Sequence, residues 1–137
     1  MLTATKPYAE RWLGPGGRFA AHAPLYPVCW AYNKVQGLEF NDLTGAPVFI
    51  QCGELDAHDL PGAGDRLARA IEAIAPGVVS AVTYAGATHA FDRSDPAITV
   101  SDPVAHGGKV LFAPHLEAAA RARAASLAFF RRAFGQG

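Results

Sequence analysis

At 137 residues the chain has the length of one domain, enough to bury a single core. Half of its residues are apolar and 18% are charged, which is a globular composition. Twelve basic side chains cancel twelve acidic ones, so no net field draws the chain to nucleic acid or to an anionic membrane, and neither is expected as a partner. Residues 1–6 lack the basic-then-apolar layout of a signal peptide, and no run approaches transmembrane length. Residues 5–13 read as the tail of a helix, with Tyr8 and Trp12 at i, i+4 and Gly14-Pro15-Gly16-Gly17 as its stop. A chain that opens midway through a helix is expected to have something before Met1.

Residues 19–28 contain a first strand, with Pro27, Cys29 and Trp30 near its end, and residues 31–46 are a polar, Gly-containing loop. The second strand is 47–52, followed by a loop through Gly62. A helix near 64–75 places Leu67, Ile71 and Ile74 on one face, and Pro76-Gly77 ends it. The third strand is 78–84. Residues 92–114 form a long excursion marked by Pro96, Pro103, Gly107, Gly108 and Pro114. A final helix near 115–134 stacks Leu116, Ala120, Ala124, Leu127 and Phe134 on one stripe. Strands that are apolar without alternation, interleaved with helices, predict an α/β fold of about three parallel strands with flanking helices. Three strands are few for that architecture. One flank would be a bare edge, through which the chain is expected to self-associate. Residues 1–137 read as part of a single domain.

Two loops carry the chemistry. Gly53-Glu54-Leu55-Asp56 follows the second strand, and Gly86-Ala87-Thr88-His89-Ala90-Phe91 follows the third, 33 residues later. In parallel sheets functional side chains collect beyond the strand carboxyl ends, so Asp56 and His89 should project from the same edge. Asp56 would accept a hydrogen bond from one imidazole nitrogen of His89. The other nitrogen would take a proton from a nucleophile and return it to the leaving group. Gly53 and Gly86 would allow tight turns beneath the pair. No Gly-x-Ser-x-Gly or Gly-x-Cys-x-Gly lies upstream, so the acid and base stand without an obvious nucleophile.

The run Gly45-Ala46-Pro47-Val48-Phe49-Ile50-Gln51-Cys52-Gly53-Glu54-Leu55-Asp56, followed by Tyr84-Ala85-Gly86-Ala87-Thr88-His89-Ala90-Phe91-Asp92, resembles the carboxyl-terminal half of the dienelactone hydrolase family. The likeness extends upstream through Gly17-Arg18-Phe19-Ala20-Ala21-His22 and Leu25-Tyr26-Pro27, and downstream to Ala128-Phe129-Phe130. It covers most of this chain but about half of a family domain. The resemblance implies a partial α/β-hydrolase fold with the nucleophile half missing, and a cofactor-free triad that cleaves carboxylic esters or lactones through an acyl-enzyme. It matches Asp56 to the triad acid and His89 to the base, in the order nucleophile, acid, base. The alternative is a non-catalytic binding or interaction module that keeps the half-fold.

Cys29 is the one candidate to replace the nucleophile, but it has neither flanking glycines nor a helix directly after it. Cys29, Trp30 and Phe91 read as walls of a substrate pocket. Ser80, Ser94, Ser101 and Ser126 lack an elbow context. Cys29 and Cys52 have no C-x-x-C spacing, which favours reduced, buried thiols in a cytoplasmic protein. Asp56, His58 and Asp59 cluster, with His89, His106 and His115 further on. Their spacing matches no familiar metal-ligand pattern, so they read as polar loop residues around a triad acid, with no metal expected. Neither Gly14-Pro15-Gly16-Gly17 nor Gly107-Gly108-Lys109 has the context of a phosphate cradle, and Arg121, Arg123, Arg131 and Arg132 read as a solvated helix face.

Overall fold

In the computed structural model, which describes residues 1–135, the centre of the molecule is strand β1, Val48–Gly53. It pairs in parallel with β2, Val79–Tyr84, in the register Val48 to Val79 through Gly53 to Tyr84. The connection is helix α2, Ala63–Ile74, which starts after the left-handed Gly62 and stops at Ala75 before Pro76-Gly77. Strand alternation gives β1 two different neighbours. Val48, Ile50 and Cys52 join Ala63, Leu67 and Ile71 of α2, with Phe40 and Cys29, in one core. Full burial of each large aliphatic side chain there contributes about 1.5–3 kcal/mol. Phe49 and Gln51 face helix α3, Leu116–Ala133: the Phe49 and Phe129 rings lie 5.5 Å apart, and Gln51 Nε2 donates to Ser126 Oγ at 2.9 Å. Gln51 is fully buried, and its Oε1 accepts from the Tyr84 hydroxyl at 2.8 Å, so both ends of the amide are satisfied. The fold is mixed α/β, with a parallel pair covered by helices on both faces.

The sequence-predicted strand at 19–28 is not a regular strand. It meets β1 in parallel at two isolated bridges, His22 to Val48 and Leu25 to Gln51. His22 N donates to Pro47 O and Phe49 N donates to His22 O. Further on, Gln51 N donates to Pro24 O and Tyr26 N to Gln51 O. Pro24 sits where the next amide would have to donate and has none, which interrupts the ladder. Tyr26 then turns out of the sheet at φ 38°. Burial pulls the His22 pKa down to about 4, which keeps this buried imidazole neutral at neutral pH.

The predicted excursion over 92–114 contains a hairpin. β3, Ile98–Ser101, pairs antiparallel with β4, Lys109–Phe112, in the register Ile98 to Phe112 through Ser101 to Lys109. The helix α1, Lys6–Leu13, ends at Gly14 as expected, where φ is 83°. Two helix faces differ from expectation. In α2, Leu67 and Ile71 are buried but Ile74 is exposed. In α3 the predicted stripe of Leu116, Ala120, Ala124, Leu127 and Phe134 points outward, and Ala118, Ala119, Ala122 and Phe129 pack inward. The reason is space: Tyr84 and Phe91 rise from the sheet side to meet the helix, and small alanines let it approach them. Among the described residues no helix is long and apolar enough to cross a membrane.

Candidate active site

β1 and β2 run in parallel, so the loops that leave Gly53 and Tyr84 emerge at the same edge. The two loops are stitched together by backbone bonds. Glu54 N donates to Tyr84 O at 3.0 Å, and Leu55 N to Ala87 O at 2.8 Å. The Glu54 carboxylate accepts from Gly86 N at 2.8 Å. The hairpin adds a third support: His89 bridges Phe112 in parallel, and Ala113 N donates to Thr88 Oγ1 at 3.1 Å.

This frame brings Asp56 and His89 together, with Oδ2 of Asp56 2.7 Å from Nδ1 of His89. The Asp56 side chain is 4% exposed and that of His89 17%, so the acid lies inside and the base reaches toward the surface. Asp56 Oδ1 accepts from the His58 amide at 2.9 Å, which fixes the carboxylate plane. A buried carboxylate at Nδ1 makes that nitrogen the protonated one and leaves Nε2 as the lone pair available to a reacting group. The Tyr26 ring packs edge-on against His89 at 4.7 Å, and its hydroxyl donates to Asp92 Oδ1 at 3.0 Å. Burial pushes the Tyr26 phenol up, so it remains a neutral donor. Tyr26 (φ 38°) and Ala90 (φ 53°) flank the pair in left-handed conformations that cost a non-glycine residue roughly 1–2 kcal/mol each. Backbone strain thus lies on both sides of one imidazole.

Gly53 and Gly86 play different parts. Gly86 turns at φ 69°, as expected. Gly53 makes no turn: it is the last residue of β1, and a Cβ on it would lie 2.5 Å from Ala87 O. Its role is to let the two loops touch.

The expected pocket walls are elsewhere. Phe91 is 0% exposed and belongs to the core under α3. Cys29 and Trp30 do line a cavity of about 230 Å³, but with Tyr32, Leu60 and Leu67 beside α2, and neither Asp56 nor His89 borders it. Trp30 supports the site from behind, its indole Nε1 donating to His58 O at 2.9 Å. Asp59 turns away from Asp56 to accept from the amides of Cys29 at 2.8 Å and Trp30 at 3.0 Å. Burial raises the Asp59 pKa, and these amide donors oppose the rise.

Cys29 is no nucleophile here. Its thiol donates to Pro27 O at 3.2 Å and lies 3.9 Å from Cys52 Sγ. That contact and burial both push its pKa up, away from thiolate. Ser126 is taken by Gln51, and among the described residues His89 makes no hydrogen bond to a serine or cysteine. Native protein treated with iodoacetamide should therefore react at both free cysteines roughly a hundredfold more slowly than unfolded chain, because both are buried. Raising the pH from about 7 to 9 should not recruit Cys29, since its raised pKa keeps the proton on through that window. Rapid labelling of one thiol in native protein, read by mass spectrometry, would contradict this.

One residue, Asp102, escaped the sequence reading, and His58, read there only as a polar loop residue, proves to be its partner. His58 lies against His89, ring centroids 4.5 Å apart at 81°, and its Nε2 is 2.9 Å from Oδ2 of Asp102, which the hairpin delivers. The His58 hydrogen bond holds the Asp102 carboxyl below its usual range. The sequence carried part of the signal: Ile98-Thr99-Val100-Ser101 alternates and Lys109-Val110-Leu111-Phe112 is a short apolar run, on either side of a Pro- and Gly-containing turn, with residue 102 at the strand end. Searched against protein-family models, curated proteins and solved structures, the chain finds no match.

Proposed function

We propose that this chain supplies the acid and base of a dienelactone-hydrolase-like triad that cleaves carboxylic esters or lactones, within a partial α/β-hydrolase fold. The observation that carries the reading is the 2.7 Å contact of a buried Asp56 carboxylate with Nδ1 of a partly exposed His89 at the carboxyl edge of a parallel pair. Asp56 orients the ring and stabilises the imidazolium. His89 Nε2 removes the proton of a hydroxyl or thiol as that group attacks the ester carbonyl, then returns it to the departing alkoxide. Water repeats the cycle on the acyl-enzyme.

The attacking group comes from outside the residues that face His89 here. A strand added beyond the 22–26 segment would end beside Tyr26, whose ring touches His89. The peptide groups of Ala23 and Leu25, which alternate away from β1, make no backbone hydrogen bond among the described residues. That flank is the place for a nucleophile-bearing strand, and a second copy of this chain is its competitor.

The test is hydrolysis of p-nitrophenyl acetate at neutral pH by the chain alone, and by the chain expressed with the coding sequence directly upstream of Met1. Alone it should be no faster than its His89→Ala variant. The longer product should turn over, and His89→Ala should then remove on the order of 10⁵–10⁶ of the rate. An inert longer product, or an upstream sequence without an in-frame strand–Gly-x-Cys/Ser-x-Gly–helix segment, would overturn the hydrolase reading in favour of a binding module.

A further inference from the structure

His58 is in an arrangement that a proton relay does not explain. Its Nε2 faces the Asp102 carboxylate at 2.9 Å, so the neutral ring carries its proton on that nitrogen and its lone pair on Nδ1. Nδ1 is buried and has no hydrogen-bond partner among the described residues. It looks onto Oδ1 of Asp56 at 3.9 Å, another acceptor. Two acceptors facing each other inside a protein are unfavourable unless something electropositive lies between them. At this separation they are too far apart to share a hydrogen bond. Donor atoms around a tetrahedral zinc ion, each about 2.0–2.1 Å from it, stand about 3.3–3.4 Å apart, so a small closure of these side chains suffices.

A third donor is at hand: one ligand atom each from Asp56, His58 and His89 fall within 4.8 Å of one another. From this we infer that Asp56, His58 and His89 form a binding site for a zinc-class divalent ion. Two imidazoles and one carboxylate are a donor set that zinc and cobalt(II) favour and that magnesium and calcium do not. Asp102 completes the pattern from behind. A carboxylate on the far nitrogen of a ligating histidine fixes its tautomer and raises its basicity. The chain order hid this site, because the predicted cluster of Asp56, His58 and Asp59 exchanges Asp59 for His89 in space. The site does not depend on the hydrolase reading. Under that reading the ion occupies the base and acts as a reversible inhibitor.

The experiment titrates zinc chloride, by calorimetry, and cobalt(II) chloride, by visible absorption, into the reduced chain of residues 1–137. One saturable site is expected for each, with weak visible bands and no intense near-ultraviolet thiolate band. The last point separates this site from the Cys29 and Cys52 thiols, which lie 3.9 Å apart. His58→Gln should weaken zinc at least a hundredfold, and the milder Asp102→Asn about tenfold. Circular dichroism of both variants without metal establishes that they fold. If His58→Gln does not fold, Asp102→Asn decides alone, because its side chain lies at the surface end of the pair. Absence of saturable binding up to about 1 mM, affinity unchanged in the folded variants, or a thiolate band lost in Cys29→Ser would each overturn the inference. None of these readouts involves ester hydrolysis, so failure here and failure of the triad reading are separate results.

Discussion

Replacing Phe91 by alanine is expected to cost about 3–5 kcal/mol of folding stability, read from the urea midpoint, against less than about 1.5 kcal/mol for Phe91→Leu. The side chain is 0% exposed. Its ring stands edge-on to Tyr26 at 5.7 Å and tilted against Tyr84 at 5.3 Å, beneath Ala118, Ala119 and Ala122 of α3. The alanines are too short to close on a hole of that size, so the cavity term adds to the lost burial. A domain of this length has only about 5–15 kcal/mol in reserve, so the variant will be marginal. A loss below about 1 kcal/mol would return Phe91 to the wall of an open pocket, where the sequence suggested that it lies.

That suggestion failed for a reason that applies across the molecule. Sequence pattern locates elements well where one period dominates. The apolar runs predicted at 47–52 and 78–84 are β1 at Val48–Gly53 and β2 at Val79–Tyr84, and the helical stretch at 64–75 is α2 at Ala63–Ile74. Because both strands are parallel and both loops leave the same edge, the approach of Asp56 to His89 was legible before any coordinate. Pattern says less about which side a residue faces once the partner's bulk decides. In α3 the large side chains Leu116 and Leu127 drew the expected face, yet the aromatic rings rising from the sheet left room for alanine.

Local chemistry overrode pattern elsewhere. Residues 19–28 are apolar enough for a strand, but Pro24 removes a donor that the ladder needs. In 92–114 the prolines and glycines masked two four-residue strands, and with them the hairpin that carries Asp102 to His58. The dyad could be read because its two members follow consecutive strands. The His58 and Asp102 contact spans 44 residues and depends on a hairpin's register, which no local motif encodes.

Gly53→Ala should disturb the dyad more than any other single methyl group added near it. An added Cβ would meet Ala87 O at 2.5 Å and Thr88 O at 2.7 Å, both main-chain atoms that no rotamer change can move. Relief requires the 86–90 loop to retreat by roughly 1 Å to restore ordinary contact. The bonds from Leu55 N to Ala87 O and from Gly86 N to Glu54 Oε2, each 2.8 Å, resist that retreat and break if it occurs. The expected loss is about 1–3 kcal/mol, as for an overpacked core. His89 travels with the loop, and its 2.7 Å contact with Asp56 lengthens beyond hydrogen-bonding range. The low-field proton resonance of a histidine Nδ1–H bonded to a carboxylate should be present in the parent protein and lost in Gly53→Ala. Gly86→Ala is the control. It forces a left-handed alanine at φ 69°, at roughly 1–2 kcal/mol, but its Cβ meets nothing closer than His115 Nε2 at 3.5 Å. That variant should lose comparable stability and keep the resonance. If Gly53→Ala keeps it as well, the approach of the two loops does not hold the acid and base in register, and the bonds from the hairpin to Thr88 and His89 must do so instead.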